Sequence, residues 1–326
     1  MFIFACKVNL FRKMFDHQPG TRLQKPPVIN LIIILLMVGL GFVVVGPIIG
    51  FFIALPFYDG SMTELVAAMQ QPLKHPDVKT SLYLIQAAAT ATGLILAPAV
   101  FLGREQRSLR EFFTVKGLDL LPVMITAVLV IVFMAVNSVF IEWNAKVTFP
   151  EFARGFEEWA RQREDAAGEL TRFLTEFSSS GQLLLAIVVI AVLPAIGEEI
   201  VFRGLIQNEL IRGTKNIHVA IWVAAVLFSA IHFQFFGFVP RLLLGALFGY
   251  LYYWSGNLML AIIAHFVNNA VSLMALYYYQ KGTLTFDLEN QEAAPLPLVI
   301  VSVIITAGLL FFFHKYYRDR KSALYS

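Results

Sequence analysis

Eight stretches of this chain are apolar for about the length needed to cross a bilayer, and nothing else in the sequence restricts its fold as strongly. A span takes about 20 predominantly apolar residues rising 1.5 Å each. Such runs are read at Val28–Phe57, Ser81–Gly103, Leu120–Ile141, Leu183–Leu210, His218–Phe236, Leu242–Trp254, Leu258–Tyr279 and Leu296–Phe313, the sixth being the shortest. Backbone polar groups in hydrocarbon must be satisfied within the segment, which favours helices. The expectation is an all-α, polytopic membrane protein with about eight transmembrane helices. Composition agrees: 14% of the 326 residues are charged, against about 25% in a soluble domain. A secreted enzyme, a nucleic-acid reader and a disordered linker are thereby excluded, and a net charge of +3 calls for no anionic partner.

Lysine and arginine distribution sets orientation. With the N-terminus inside, the inner segments hold 15 of these residues and the outer ones 9, with Arg203 within a helix. Both termini are therefore expected in the cytoplasm, in the cell membrane of a prokaryote. Residues 1–27 read as a retained tail, because Lys7, Arg12, Lys13, Arg22 and Lys25 flank no signal-type apolar core. Cys6 is the only cysteine, so no internal disulfide and no multi-cysteine metal site is expected. Residues 28–180 hold the first three spans and a polar loop at 142–180; residues 181–280 hold the next four; residues 281–326 hold the last span and a basic tail. In the loop, Phe152, Phe156 and Trp159 recur at i, i+4, i+7 among acidic and basic neighbours. That spacing puts three aromatics on one face of a helix, lying either in the membrane interface or on the mouth of the bundle. Gly245 and Gly249 form a GxxxG step, the mark of a closely packed helix face.

The fourth run carries charges that lipid would reject. Glu198, Glu199 and Arg203 interrupt the segment LLLAIVVIAVLPAIGEEIVFRGLIQNEL. Each such group costs about 2.5–3.5 kcal/mol at the centre of a span, so intramembrane charges are functional candidates by default. Glu199 and Arg203 stand i, i+4 with the acid first, the favourable order for an ion pair. Glu198 is rotated about 100° from Glu199 and projects onto another face. An unpaired carboxylate in a dry site suits a general base; a purely structural charge cluster is the alternative. Phe228 and His232 stand i, i+4 in the fifth run, His265 and Asn269 i, i+4 in the seventh. One intramembrane histidine alone reads as a packing residue. Two histidines, an asparagine and two glutamates on three helices read as a site. They meet at one depth only if the fourth helix is long, tilted or kinked, for which Pro194 offers a hinge.

At these residues the chain resembles the CPBP family of intramembrane proteases. That group contains the type II CAAX prenyl endopeptidases, lysostaphin-resistance proteins and bacteriocin-immunity-like proteins. Its three motifs, EExxxR, FxxxH and HxxxN, read here as Glu198 to Arg203, Phe228 to His232 and His265 to Asn269. The resemblance covers roughly residues 181–279. It implies peptide-bond hydrolysis within the membrane: Glu198 with His232 would activate a water, His265 and Asn269 would stabilise the oxyanion, and Arg203 would hold Glu199. Asn268 also lies near the His265 face.

The sequence leaves a divalent metal open, since His232, His265 and a glutamate match the His2Glu set of catalytic zinc sites without forming a compact HExxH; no organic cofactor is implied. The expected partner is a membrane-associated protein or peptide, lipidated or not. Two other readings stay open on the sequence: a non-catalytic immunity or binding protein that shares the fold, and a proton-coupled transporter, for which glutamate and histidine chains also serve.

Overall fold

The computed structural model describes residues 25–112, 118–284 and 292–323. Most of the basic tail read at 1–27, including Cys6, lies outside the described residues, as does Lys116. The described chain runs through helices α1 (Pro27–Phe57), α2 (Met62–Gln70), α3 (Pro76–Arg104), α4 (Leu120–Ala145), α5 (Arg154–Thr175), α6 (Ser180–Thr214), α7 (Ile217–Ala230), α8 (Phe238–Ser255), α9 (Leu258–Gln280) and α10 (Leu296–Ala323). No strand occurs among the described residues. Seven stretches are long and apolar enough to cross a membrane: α1, α3, α4, α6, Phe235–Ser255, α9 and the bulk of α10. The chain is an all-α integral membrane protein.

One expectation about the spans is corrected. The fifth run, read as His218–Phe236, is the one too short to qualify, because α7 has 14 residues and ends at Ala230. The short sixth run is instead part of a 21-residue stretch, Phe235–Ser255. Tertiary contacts move the boundary. Asn144, at the end of α4, accepts a hydrogen bond from the Val239 amide at 2.9 Å, and the Ser229 hydroxyl donates to the Phe238 carbonyl at 2.6 Å. Pro240 needs no donor partner in a first turn. Between the two helices the chain reverses through Phe233 at φ 52, in the left-handed region that a bulky residue enters only under constraint.

Prolines shape the long helices. The wider π turns Gly41–Val45, Ala91–Leu96 and Ile187–Val192 each end two residues before a proline: Pro47, Pro98 and Pro194. A proline in a helix removes one donor and its ring clashes with the carbonyl four residues back, so a locally widened turn relieves both. A fourth π turn, Ile200–Ile206, has no proline and carries Arg203. Wide turns of this kind are frequent at functional sites.

Helices α6 and α9 pack together in the middle of the bundle, with α4 and α8 against α9 and α7 against α8. Their shared core includes Ile200, Phe202, Leu205, Phe228, Phe248, Leu260 and Ala264. The GxxxG step faces α7: a Cβ on Gly245 would lie 3.1 Å from the Ala225 Cβ, and one on Gly249 2.9 Å from Ile221. Helices α1 and α3 cross still more tightly. A Cβ on Gly93 would sit 2.5 Å from the Phe42 backbone nitrogen. Gly93→Ala is therefore expected to lower stability by about 1–3 kcal/mol, the usual cost of overpacking. Gly39→Ala, on the same helix pair but facing open space, should not. Thermal unfolding of both variants in detergent checks this; equal melting temperatures would refute the close crossing.

Helix α5 caps one end of the bundle. It packs on the bundle with Ala160, Phe173 and Leu174 buried. The Tyr83 hydroxyl donates to the Leu174 carbonyl, and Gln280 Nε2 donates to the Thr175 carbonyl at 2.9 Å. The three-aromatic face is not formed as expected. The extended backbone at Pro150 delays the helix, so Phe152 falls in the preceding turn and is 91% exposed. Phe156 and Trp159 keep the shared face, with ring centroids 5.7 Å apart, and Phe156 also meets Phe149 and Phe235, 5.3 and 5.7 Å away.

Candidate active site

The charged motif of α6 divides into a sealed pair and an accessible acid. Glu199 and Arg203 are fully buried, with Nη1 of Arg203 donating to Glu199 Oε1 at 2.8 Å. The i, i+4 pairing expected from the sequence thus persists across the π turn. The other guanidinium arm donates to the Gly245 carbonyl at 2.9 Å. Its face lies 4.8 Å from the Phe228 ring and 5.5 Å from that of Phe248. Aromatic faces stabilise a desolvated cation in this way. The phenylalanine of the FxxxH motif is therefore part of the housing of the arginine of the first motif.

His265 joins the pair from α9. Its Nδ1 lies 2.8 Å from Glu199 Oε1, and Phe248 stacks on its ring at 5.5 Å. A carboxylate accepts, so Nδ1 carries the proton and Nε2 is the free ring position. That Nε2 faces Glu198 Oε2 at 3.9 Å. Glu198 makes no pair with Arg203; its side chain keeps 16% of its surface exposed, while that of Glu199 keeps none. His232 stands in the turn after α7, half-buried, with Nδ1 2.8 Å from the Phe228 carbonyl. A helix end leaves such carbonyls without backbone donors, and the ring supplies one. This too leaves Nε2 free.

Asn269 is engaged differently. Its Nδ2 donates to the Ile190 carbonyl at 3.2 Å, and its Oδ1 accepts from Asn268 Nδ2 at 3.1 Å. Ile190 lies four residues before Pro194, so its carbonyl has lost its helical partner. Asn269 fills that vacancy in the π turn, and part of its donor capacity is spent there.

Two residues absent from the sequence reading border the site. Arg241 stands in the first turn of α8, and its Nη2 donates to Oε1 of Gln234, in the turn after His232, at 3.0 Å. Glu164 of α5 accepts from Gln234 Nε2 at 3.3 Å and from the Phe236 amide at 3.2 Å. It thereby ties α5 to the turn that carries His232. Burial pushes the Glu164 carboxyl above its usual range, and the Arg241 charge works against that shift. The signal that would have found Arg241 is the one that found Arg203: a cation amid apolar residues, here between Phe238-Val239-Pro240 and Leu242-Leu243-Leu244.

As a zinc set, His232, His265 and Glu198 are right in kind. Each ring is oriented through Nδ1, as metal-bound histidines usually are. They are not assembled, however: among the described residues no three His, Cys, Asp or Glu side chains are arranged to hold a metal ion.

Comparison with known proteins falls on this same region. Residues 180–271 match the family model "Type II CAAX prenyl endopeptidase Rce1-like", a segment that includes all six residues from Glu198 to Asn269. An uncharacterized protein of Bacillus subtilis, YpbD, is 33% identical over 89 residues, which are 26% of this chain and 42% of that protein. The chain thus matches less than half the length of this curated relative. No solved structure matches. Across α6 to α9 the chain is similar to the Rce1-like type II CAAX prenyl endopeptidases, in agreement with the CPBP resemblance carried by its three motifs.

Proposed function

We propose that the protein is an intramembrane endopeptidase of the CAAX-protease-like class, hydrolysing a peptide bond of a membrane-associated protein or peptide. The observation that carries this reading is the asymmetry of the glutamate pair. Glu199 is consumed by Arg203 and His265, while Glu198 stays unpaired and partly accessible, with His265 Nε2 3.9 Å from its oxygen. A structural cluster would have no reason to leave one of two adjacent carboxylates without an ion pair in the membrane.

In this scheme Glu198, with His232 as its partner by the family resemblance, takes a proton from water. The water oxygen bonds to the scissile carbonyl carbon, and the C=O π electrons move onto the carbonyl oxygen. By the resemblance, His265 and Asn269 on α9 would meet that developing negative charge, Asn269 with the amide hydrogen that it does not give to Ile190. Collapse re-forms C=O and breaks C–N, the electron pair goes to nitrogen, and the proton held by Glu198 passes to the leaving amine. Glu199 holds His265 through Nδ1, and Arg203 holds Glu199 in place.

The test compares new peptide termini in host membranes expressing the wild type or Glu198→Ala at equal levels. Termini made only by the wild type are expected, and the mass of the fragment ending at each cut reports whether the substrate carries a lipid. Identical terminus profiles would overturn the protease reading.

A further inference from the structure

We infer that Arg241 is a catalytic donor of this site, the cation that receives the carbonyl oxygen as it becomes an anion; this rests on the hydrolytic reading above. Hydrolysis needs donors aimed at the oxyanion, and the two residues expected to supply them are poorly provided. Asn269 spends an amide hydrogen on the Ile190 carbonyl. His265 directs Nδ1 to Glu199, so that donor position is already spent.

Arg241 has what they lack. One of its terminal nitrogens, Nη2, donates to Gln234 Oε1 at 3.0 Å, while Nη1 is buried with no hydrogen-bond partner. A buried guanidinium nitrogen without an acceptor is costly, and a site that forms an anion during the reaction gives it one. The Arg241 guanidinium is anchored to Gln234, two residues after His232 in the same turn, and forms no ion pair with Glu198.

Its placement is also built. Gln234 fixes one arm and is itself held by Glu164 of α5. Gly237 leaves the room: a Cβ there would lie 2.1 Å from Arg241 Nη2. Gly237 has an ordinary φ of −109, so its lack of a side chain serves the guanidinium and not the backbone.

The experiment uses the full-length protein in lipid nanodiscs. Its probe is the peptide that only the wild type cuts, resynthesised with a fluorophore and a quencher on either side of the scissile bond. Arg241→Met is expected to lower kcat by about 10²–10³-fold, the cost of losing an oxyanion donor, with KM little changed. Arg241→Lys should recover part of the loss. Gly237→Ala keeps the guanidinium but displaces it, and should lower kcat by about tenfold or more; it decides the matter if Arg241→Met fails to fold. A raised KM with kcat kept would make Arg241 a ground-state binding residue and overturn the inference, as would unchanged kinetics. A wild type that cuts no peptide overturns the protease reading and this inference together. A wild type that cuts, matched by Arg241→Met, overturns this inference alone.

Discussion

Glu198→Gln is expected to lower kcat by about 10²–10⁴-fold, the range that positioned general bases contribute, while the protein still folds. Glutamine keeps the shape of the side chain and its capacity to hydrogen-bond, and removes the ability to take a proton. Little stability is at stake, because Glu198 is not part of the buried ion pair and its nearest ionisable contact is His265 Nε2 at 3.9 Å. Glu198→Asp retains a base withdrawn by one methylene and should fall between the wild type and Glu198→Gln. Rates on the cleaved peptide, read beside melting temperatures, separate chemistry from folding. A Glu198→Gln protein that turns over at the wild-type rate would remove Glu198 from the mechanism.

The largest effect on stability is expected one residue further on. Glu199→Ala or Arg203→Met should each cost about 3–5 kcal/mol, because removing one member of a buried pair leaves the other charge uncompensated. Both side chains are sealed, at 0% and 1% exposure. Arg203→Met also strips the Gly245 carbonyl of its donor and empties the space between Phe228 and Phe248. The double variant Glu199→Gln/Arg203→Met should be less damaged than the two losses added together, since no lone charge remains. Thermal unfolding of the three variants in one detergent measures the coupling. Single variants that melt with the wild type would show that the pair holds nothing together. The two predictions also separate the adjacent acids: Glu198 variants should fold and not turn over, whereas Glu199 variants should fail first in folding.

Much of this architecture was legible in the order of residues. The apolar runs mark where the long helices lie, because insertion depends on the composition of each segment by itself. The Glu199–Arg203 pair follows from i, i+4 spacing and survives a π turn. Pro194 was read as a hinge, and the helix around it proves 35 residues long and widened just before the proline. What spacing could not give were the groups that come from elsewhere in the chain. The Glu199–His265 contact joins residues 66 apart, and the hold of Glu164 on Phe236 joins residues 72 apart. The start of α8 depends on Asn144, 95 residues before Val239. A boundary set by such a partner carries no hydropathy signal, which is why the fifth and sixth runs were divided in the wrong place.

By itself, then, the sequence determined the class of the protein, the course of most of its helices and the residues of its three motifs. These rest on properties local to a segment: hydropathy, helical periodicity and the cost of a charge in lipid. Only the tertiary structure decided which acid is sealed and which stays open, that Asn269 serves a carbonyl orphaned by Pro194, and that Arg241 is anchored on the turn that carries His232. Each of these is a matter of which donor meets which acceptor across helices, and in a low-dielectric interior that pairing sets whether a polar group is held in place or left free to act.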